Sequence, residues 1–373
     1  MSDRAFLNGR GERIRTSGPM LPKHVRYQTA LHPVMSRTDA RTAEIMAAPP
    51  TCQPRGRPLP SILMLTVHLS ALVFASAAVT WGVTVLLERR CPHILRDTSE
   101  EAAGKPRIGG IAILIGTAVA LVLAPESWRV LLPIAAATGL GVHDDMTDSP
   151  APLRLVGLLL IATLATSLGA GSQHPILVVA WLVAVTVGYD FIDGLDGLAG
   201  ALSLVAFVTT LVLAPSPWIV AIVGSVMTYL VTSNRPPART LLGDGGSNGL
   251  GMAVGLAVLQ VAGAESWGAA PLLLLAAVPL TDGATTLSRR LRSTEGLFTS
   301  EKGHLHHRLA ELWGSPALAV AEMTLVGAVC AAAGGLAFHS PHALRVAVLA
   351  SMTALSLLLW RTRATRPPPA DSR

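Results

Sequence analysis

Three aspartates, Asp190, Asp193 and Asp196, lie within seven residues of the stretch GYDFIDGLDGLAG (188–200), inside a run that is otherwise almost wholly apolar. No helix cap needs three carboxylates, so the spacing points to cation or phosphate chemistry. In a helical or turn-like segment they recur every third residue and share one face, with Gly194 and Gly197 removing bulk beside them. A second acidic group, GVHDDMTDSP (141–150), holds the adjacent pair Asp144 and Asp145, with Asp148 one turn on. Neighbouring carboxylates repel, and a divalent cation relieves that repulsion. The competing reading is a solvated loop with a helix cap from Asp148 or Ser149. In LLGDGGSNGLG (241–251), Asp244 is surrounded by glycines just before an apolar run. Such a loop can aim backbone N–H groups at an anion while its carboxylate holds a metal. The competing reading is a capped, flexible turn with Ser247 or Asn248 as the N-cap, which explains Asp244 poorly.

Basic and imidazole groups complete the set. GKPRIGG (104–110) offers Lys105 and Arg107 to phosphate oxygens, although basic anchoring of a membrane loop explains one of them equally well. EKGHLHHRL (301–309) gathers His304, His306, His307 and Arg308. Histidines suggest zinc, but HxHH lacks the spacing of the common zinc motifs, and imidazoles also donate to phosphates. Carboxylates for a divalent metal together with cations for phosphates suit phosphoryl transfer, in which positioning and charge neutralisation dominate.

These groups need elements to carry them. The chain has 373 residues, 51% of them hydrophobic and 14% charged, against about 25% charged in ordinary soluble domains. Apolar runs are expected as helices at 62–87, 108–124, 128–142, 153–170, 175–189, 198–214, 217–232, 249–263, 269–286, 316–338 and 343–360. They are solidly Leu, Val, Ala, Ile and Gly, without the alternation of membrane strands. The expected fold is all-α, a polytopic transmembrane bundle of ten or eleven spans. Several runs fall short of the ~20 residues a bilayer usually needs, so their ends must extend or be shielded by protein. Cys52, Cys91 and Cys330 are far apart and suggest neither a disulfide framework nor a zinc site.

Eleven spans put all five polar clusters on one side. Among the basic residues beyond position 60, only Arg129 and Arg345 fall on the other side. Lys and Arg mark the cytoplasm, so the clusters are expected to face it. A carboxylate at the bilayer centre costs about 2.5–3.5 kcal/mol on insertion scales, which places the clusters at helix mouths. One substrate is then a lipid phosphate and the other is cytosolic. Residues 1–60 carry ten basic residues yet would lie outside. A true start at Met64 accounts for this; a disordered basic tail is the other account. The expected division is a tail or mis-started segment at 1–60, a membrane domain at 61–362 and a disordered cytoplasmic tail at 363–373.

PRIGG, DDMTD, DGLDGLAG, GDGGSNGLG and HLHHRL occur in this order, and in that order the chain resembles the polyprenyl-phosphate N-acetylhexosamine-1-phosphate transferase family from about residue 62 to 361. The resemblance implies that a UDP-activated amino sugar gives its sugar 1-phosphate, N-acetylglucosamine 1-phosphate or a relative, to undecaprenyl phosphate and releases UMP. It implies magnesium, with manganese as a substitute, and a plasma (inner) membrane enzyme that starts a cell-wall or surface glycan such as peptidoglycan or lipopolysaccharide. By position, Asp244 resembles the principal metal ligand, with Asp145 beside it. Asp144 and Asp145 resemble the pair at the lipid phosphate, and Asp193 and Asp196 the nucleotide-side carboxylates. His304, His306 and His307 resemble the motif that contacts the donor's phosphates, joined by Lys105, Arg107, Asp190 and Arg308 as substrate-binding residues. Membrane lipid is an expected partner, a homodimer is compatible with the reading, and nucleic acid is not expected. The chain departs from the family where two asparagines usually stand, at Val187 and Asp190, and Gly246 and Asn248 vary a loop that often carries a bulkier residue. Altered donor preference is expected from this before loss of activity.

Three rivals remain at this point. A CDP-alcohol phosphatidyltransferase would need an Ala-Arg after its first DG and paired aspartates four residues apart; here Ala199 is followed by Gly200. A proton- or metal-coupled transporter would carry charge in mid-span, for which Asp282 is the one good candidate. An inactive paralogue is motivated by Val187 and Asp190.

Overall fold

Proline marks where several of the apolar runs begin. Its fixed φ and missing N–H suit the first helical turn, and Pro175, Pro217 and Pro316 each open a helix. The computed structural model describes residues 62–90, 104–123, 127–170, 174–263, 270–292 and 303–362. The expectations for residues 1–60 and 363–373, and for Cys52 and Cys91, lie outside the described residues. In chain order the helices are α1 (Ile62–Arg90), α2 (Gly109–Ala120), α3 (Trp128–Thr147), α4 (Ala151–Ser167), α5 (Pro175–Ile192), α6 (Leu198–Leu213), α7 (Pro217–Tyr229), α8 (Gly243–Ala262), α9 (Ala277–Arg292), α10 (Leu305–Trp313), α11 (Pro316–His339) and α12 (Pro341–Thr362). A 3-10 turn extends α2, a π turn extends α7, and the 3-10 segment Ala270–Ala276 leads into α9. No β-strand occurs among the described residues, only a single bridge between Arg107 and Leu241. The protein is an all-α, polytopic membrane helical protein, and each of the expected runs is found as helix.

Five helical stretches are long and apolar enough to cross a bilayer: 66–90, 175–192, 217–234, 316–338 and 343–362. Others, such as α2, α4 and α6, are shorter. α8 is a different kind of element. It is buried nearly from end to end, and α2, α3, α5 and α6 pack around it. Its glycines permit this. A Cβ on Gly110 of α2 would collide with the backbone of Gly245 and Gly246, and one on Gly141 of α3 with the carbonyl of Asp244. Backbone therefore meets backbone at the start of α8. Around this centre, large apolar side chains such as Leu160, Ile176, Val212 and Trp360 point outward, as lipid-facing residues do.

Two of the competing readings, both of helix caps, are corrected. α4 is preceded by Pro150 and has no side-chain cap; Asp148 instead ends α3 in the left-handed conformation, its N–H donating to the Asp144 carbonyl. α8 begins at Gly243 rather than after Ser247 and Asn248, so those two sit inside its first turns instead of capping it.

Candidate active site

The polar clusters occupy the ends of elements that alternate in direction: the C-terminal ends of α3 and α5, and the N-terminal ends of α2, α4 and α8. Such alternation gathers them at one end of the bundle, and direct contacts tie them together.

The segment before α2 is stitched to the segment before α8. Leu241 N–H donates to the Pro106 carbonyl, while Gly109 and Gly110 donate to the carbonyls of Leu241 and Leu242 at 3.1 Å each. Arg107 is thereby aimed across the start of α8 and donates through Nη1 to Asp145 Oδ1 at 2.9 Å. The Asp145 side chain is fully buried and accepts two further hydrogen bonds, from Asp244 N–H at 3.2 Å on Oδ1 and Gly245 N–H at 3.1 Å on Oδ2. These are the orphan donors of a helix N-terminus, where a carboxylate is favoured by both hydrogen bonding and the helix dipole.

Arg154, in the first turn of α4, donates to Asp144 Oδ2 at 2.5 Å and stands 3.7 Å from Asp244 Oδ2. Asp144 also accepts from Ser149 N–H at 2.8 Å. Asp144 and Asp244 both reach the Arg154 guanidinium. Carboxylates gathered this closely need cations among them, and an oxygen donor set of this kind fits a divalent metal. Asp244 is the more available of its ligands: its side chain is 32% exposed, against 5% for Asp144. Asp145 keeps a lone pair on Oδ2 beyond its single N–H contact.

The opening triplet is arranged differently from expectation. Asp190 lies in the last turn of α5 and accepts from Ser247 Oγ at 3.3 Å. Asp193 follows the helix end, and Asp196 lies in the turn before α6. There Asp196 Oδ2 accepts from Ala238 N–H at 2.8 Å and pairs with Lys105 Nζ at 3.6 Å. The three do not share one helix face, because the turn after Ile192 redirects the chain. Burial raises the Asp193 carboxyl well above the usual carboxylate range, with the charges of Asp190 and Asp145 adding to it.

The histidines join the same end. His304 precedes α10 and its ring lies 5.5 Å from that of Phe191; His306 packs where a Cβ on Gly194 would collide with its ring. His306 is 1% exposed, and burial followed by the neighbouring His307 lowers its pKa to about 3, so the ring is neutral. His307 and Arg308 are half-buried, and Arg308 Nε donates to the Gly303 carbonyl at 3.1 Å.

The structure thus brings Arg107, Asp144, Asp145, Asp190 and Asp244 into one cluster, with Lys105 and Asp196 on one flank and His304 and His306 on another. Two residues of the cluster escape a reading of the sequence. Arg154 reads only as one of many basic residues on its side, and Ser247 reads as a cap. Asp282, which the sequence offers only as a transporter's mid-span charge, is fully buried on α9 and accepts from His304 Nδ1 at 3.0 Å and from Leu305 N–H at 2.8 Å. It belongs with the histidines, not with a mid-span charge.

Residues 127–262 match the family model described as glycosyl transferase family 4. That segment runs from α3 to α8 and contains every aspartate of the central cluster. The chain is 26% identical over 340 residues to a decaprenyl-phosphate N-acetylglucosaminephosphotransferase of Mycobacterium leprae (strain TN), covering 74% of this chain and 85% of that protein. It is 28% identical over 254 residues to a probable undecaprenyl-phosphate N-acetylglucosaminyl 1-phosphate transferase of Bacillus subtilis (strain 168), covering 60% and 70%. An undecaprenyl-phosphate alpha-N-acetylglucosaminyl 1-phosphate transferase of Escherichia coli (strain K12) is 24% identical over 268 residues, covering 63% and 73%. Together these likenesses support the family that the motifs resemble, the polyprenyl-phosphate N-acetylhexosamine-1-phosphate transferases.

Proposed function

We propose that the protein transfers an N-acetylhexosamine 1-phosphate, N-acetylglucosamine 1-phosphate in the first instance, from its UDP-sugar to undecaprenyl phosphate. A lipid phosphate oxygen attacks the donor's β-phosphorus. The bond from that phosphorus to the bridging oxygen breaks, and the electron pair leaves with UMP. The observation that carries this reading is the convergence of Arg107, Asp144, Asp145, Arg154 and Asp244 from four separate segments on the first turn of α8. Two anionic reactants must meet for this reaction, and the site alternates cations with carboxylates able to hold a metal between them.

Asp244, with Asp145 and Asp144 beside it, would hold magnesium or manganese, which supplies neutralisation of the phosphate charge when bound. Asp144 and Asp145 face the lipid phosphate side. Asp190, Asp193 and Asp196, with Lys105, serve the nucleotide side. His304, His306, His307 and Arg308, with Arg107, serve the donor's phosphates. The lipid phosphate is already an anionic nucleophile, so a single displacement suffices without a carboxyl-bound intermediate. The enzyme sits in the plasma (inner) membrane with this mouth towards the cytoplasm, where UDP-sugars are found, and a homodimer is compatible with the reading. Nothing in the fold or the likenesses supports the transporter or inactive-paralogue readings.

The test is a donor panel. Membranes containing the protein, supplied with undecaprenyl phosphate, magnesium and radiolabelled UDP-N-acetylglucosamine or related UDP-sugars, should move label into the lipid phase with release of UMP. No lipid label from any donor would overturn the proposal.

A further inference from the structure

We propose that Asp282, His304 and His306 form a second cation site, distinct from the aspartate cluster, that takes a zinc-class divalent metal. Each of the three offers one ligand atom, and these atoms lie within 4.8 Å of one another.

The independent observation is His306. Its side chain is almost wholly buried, and neither Nδ1 nor Nε2 has a hydrogen-bond partner among the described residues. A buried polar side chain without a partner is rare in native proteins and calls for an unseen ligand, water or ion. Asp282 supplies the counterpart. Leu305 N–H and His304 Nδ1 fix its two oxygens, so the carboxylate is held in place beside both rings. The glycine at 194 leaves the room that the His306 ring fills. Asp282 comes from the first half of α9, His304 from the residue before α10 and His306 from its first turn.

The donor set selects the metal. Two imidazole nitrogens and one carboxylate oxygen suit zinc and its first-row neighbours, whereas magnesium and calcium prefer oxygen alone. Three protein ligands leave a fourth position open to water or an anion oxygen. Metal–ligand bonds of about 2.0–2.2 Å require the three atoms to draw closer than they stand, and the proton now shared by His304 and Asp282 leaves as the metal enters. His307 and Arg308 lie half-buried on α10 and keep their assignment to the donor, whereas His304 and His306 would reach its phosphates only through the open position of the metal they hold. The inference does not rest on the transferase reading, because its readout is metal content rather than turnover.

The full chain, purified in detergent without a histidine tag, is loaded with zinc, desalted into chelator-treated buffer and assayed for metal by mass spectrometry. About one zinc per chain is expected to remain. H306Q and D282N should lower the retained zinc at least ~10-fold, while D244N should retain it as the wild type does. Cobalt(II) loading of the wild type provides a second readout that needs no variant: intense visible bands of a four-coordinate, nitrogen-ligated ion are expected. Zinc retention no higher than that of H306Q, or a cobalt spectrum like that of the hydrated ion, would overturn the proposal. If the variants fail to fold, the cobalt spectrum decides alone.

Discussion

Asp145 and Asp244 lie one beside the other, yet their surroundings give them different work. Asp145 is buried and accepts from a guanidinium and two backbone N–H groups. Asp244 is partly exposed, and the nearest cation, Arg154, is loose at 3.7 Å. Asp145 therefore steadies the start of α8 while keeping part of one oxygen towards the proposed metal, and Asp244 is the more open of the two to bind it. Asp244→Asn should lower lipid labelling at least ~100-fold while the protein still inserts, read by scintillation counting and by its recovery in the membrane fraction. EDTA should give the same loss in the wild type, reversed by added magnesium. Removing Arg107 has a different signature: Arg107→Ala leaves the Asp145 charge short of its partner and should lower stability by about 1.5–3 kcal/mol in detergent melts, before any effect on donor binding. Asp193 works in the opposite sense. Its raised pKa means that the folded state holds the proton more tightly than the unfolded chain, so its contribution to stability is present at low pH and is lost as pH rises through the raised value. Asp193→Asn should therefore melt at or above the wild-type temperature at pH 8, with the gap narrowing towards pH 5, while lipid labelling falls by roughly 10-fold or more. The sequence points to all these aspartates because charge inside apolar runs stands out. It hides Arg154, since one arginine among many on the same side carries no distinguishing signal until α4 is folded beside α3.

At the scale of elements, the decisive contact is backbone against backbone where α2 and α3 meet α8. Gly110 and Gly141 have no room for a methyl group, and the atoms they face belong to the chain of Gly245, Gly246 and Asp244 rather than to side chains that could swing aside. Gly110→Ala and Gly141→Ala should each cost about 1–3 kcal/mol through overpacking. Both should lower activity as well, because the shift is imposed on the turn that presents Asp244; paired melting and labelling measurements check this. The apolar runs announce every long helix, since a bilayer demands uninterrupted hydrophobicity. They understate α8, whose first turn is GDGGSN and reads as a loop: glycine has poor helix propensity, and tertiary packing overrides it here. They also miss α10, a nine-residue amphipathic helix that sequence reading leaves inside a loop. Without it, the burial of His306 against Gly194 could not be foreseen.

At the scale of the whole molecule, alternating helices deliver every cluster to one end, and this makes sidedness testable. Met146, exposed in the last turn of α3, and Ile176, exposed in the first turn of α5, mark opposite ends. Met146→Cys should react with a membrane-impermeant maleimide in inverted vesicles and not in intact cells, and Ile176→Cys should not react in inverted vesicles. The reverse pattern would place the site on the outer face. The parity of the runs and the bias of basic residues predict this orientation from the sequence alone, because both follow from the bilayer itself, and the labelling tests it.

The knitting of Pro106, Gly109 and Gly110 to Leu241 and Leu242 is made of main-chain atoms alone. Its hydrogen bonds therefore do not depend on which side chain stands at 105. A change of charge at 105 then leaves the ledge beneath Gly243 and Asp244 at the same height.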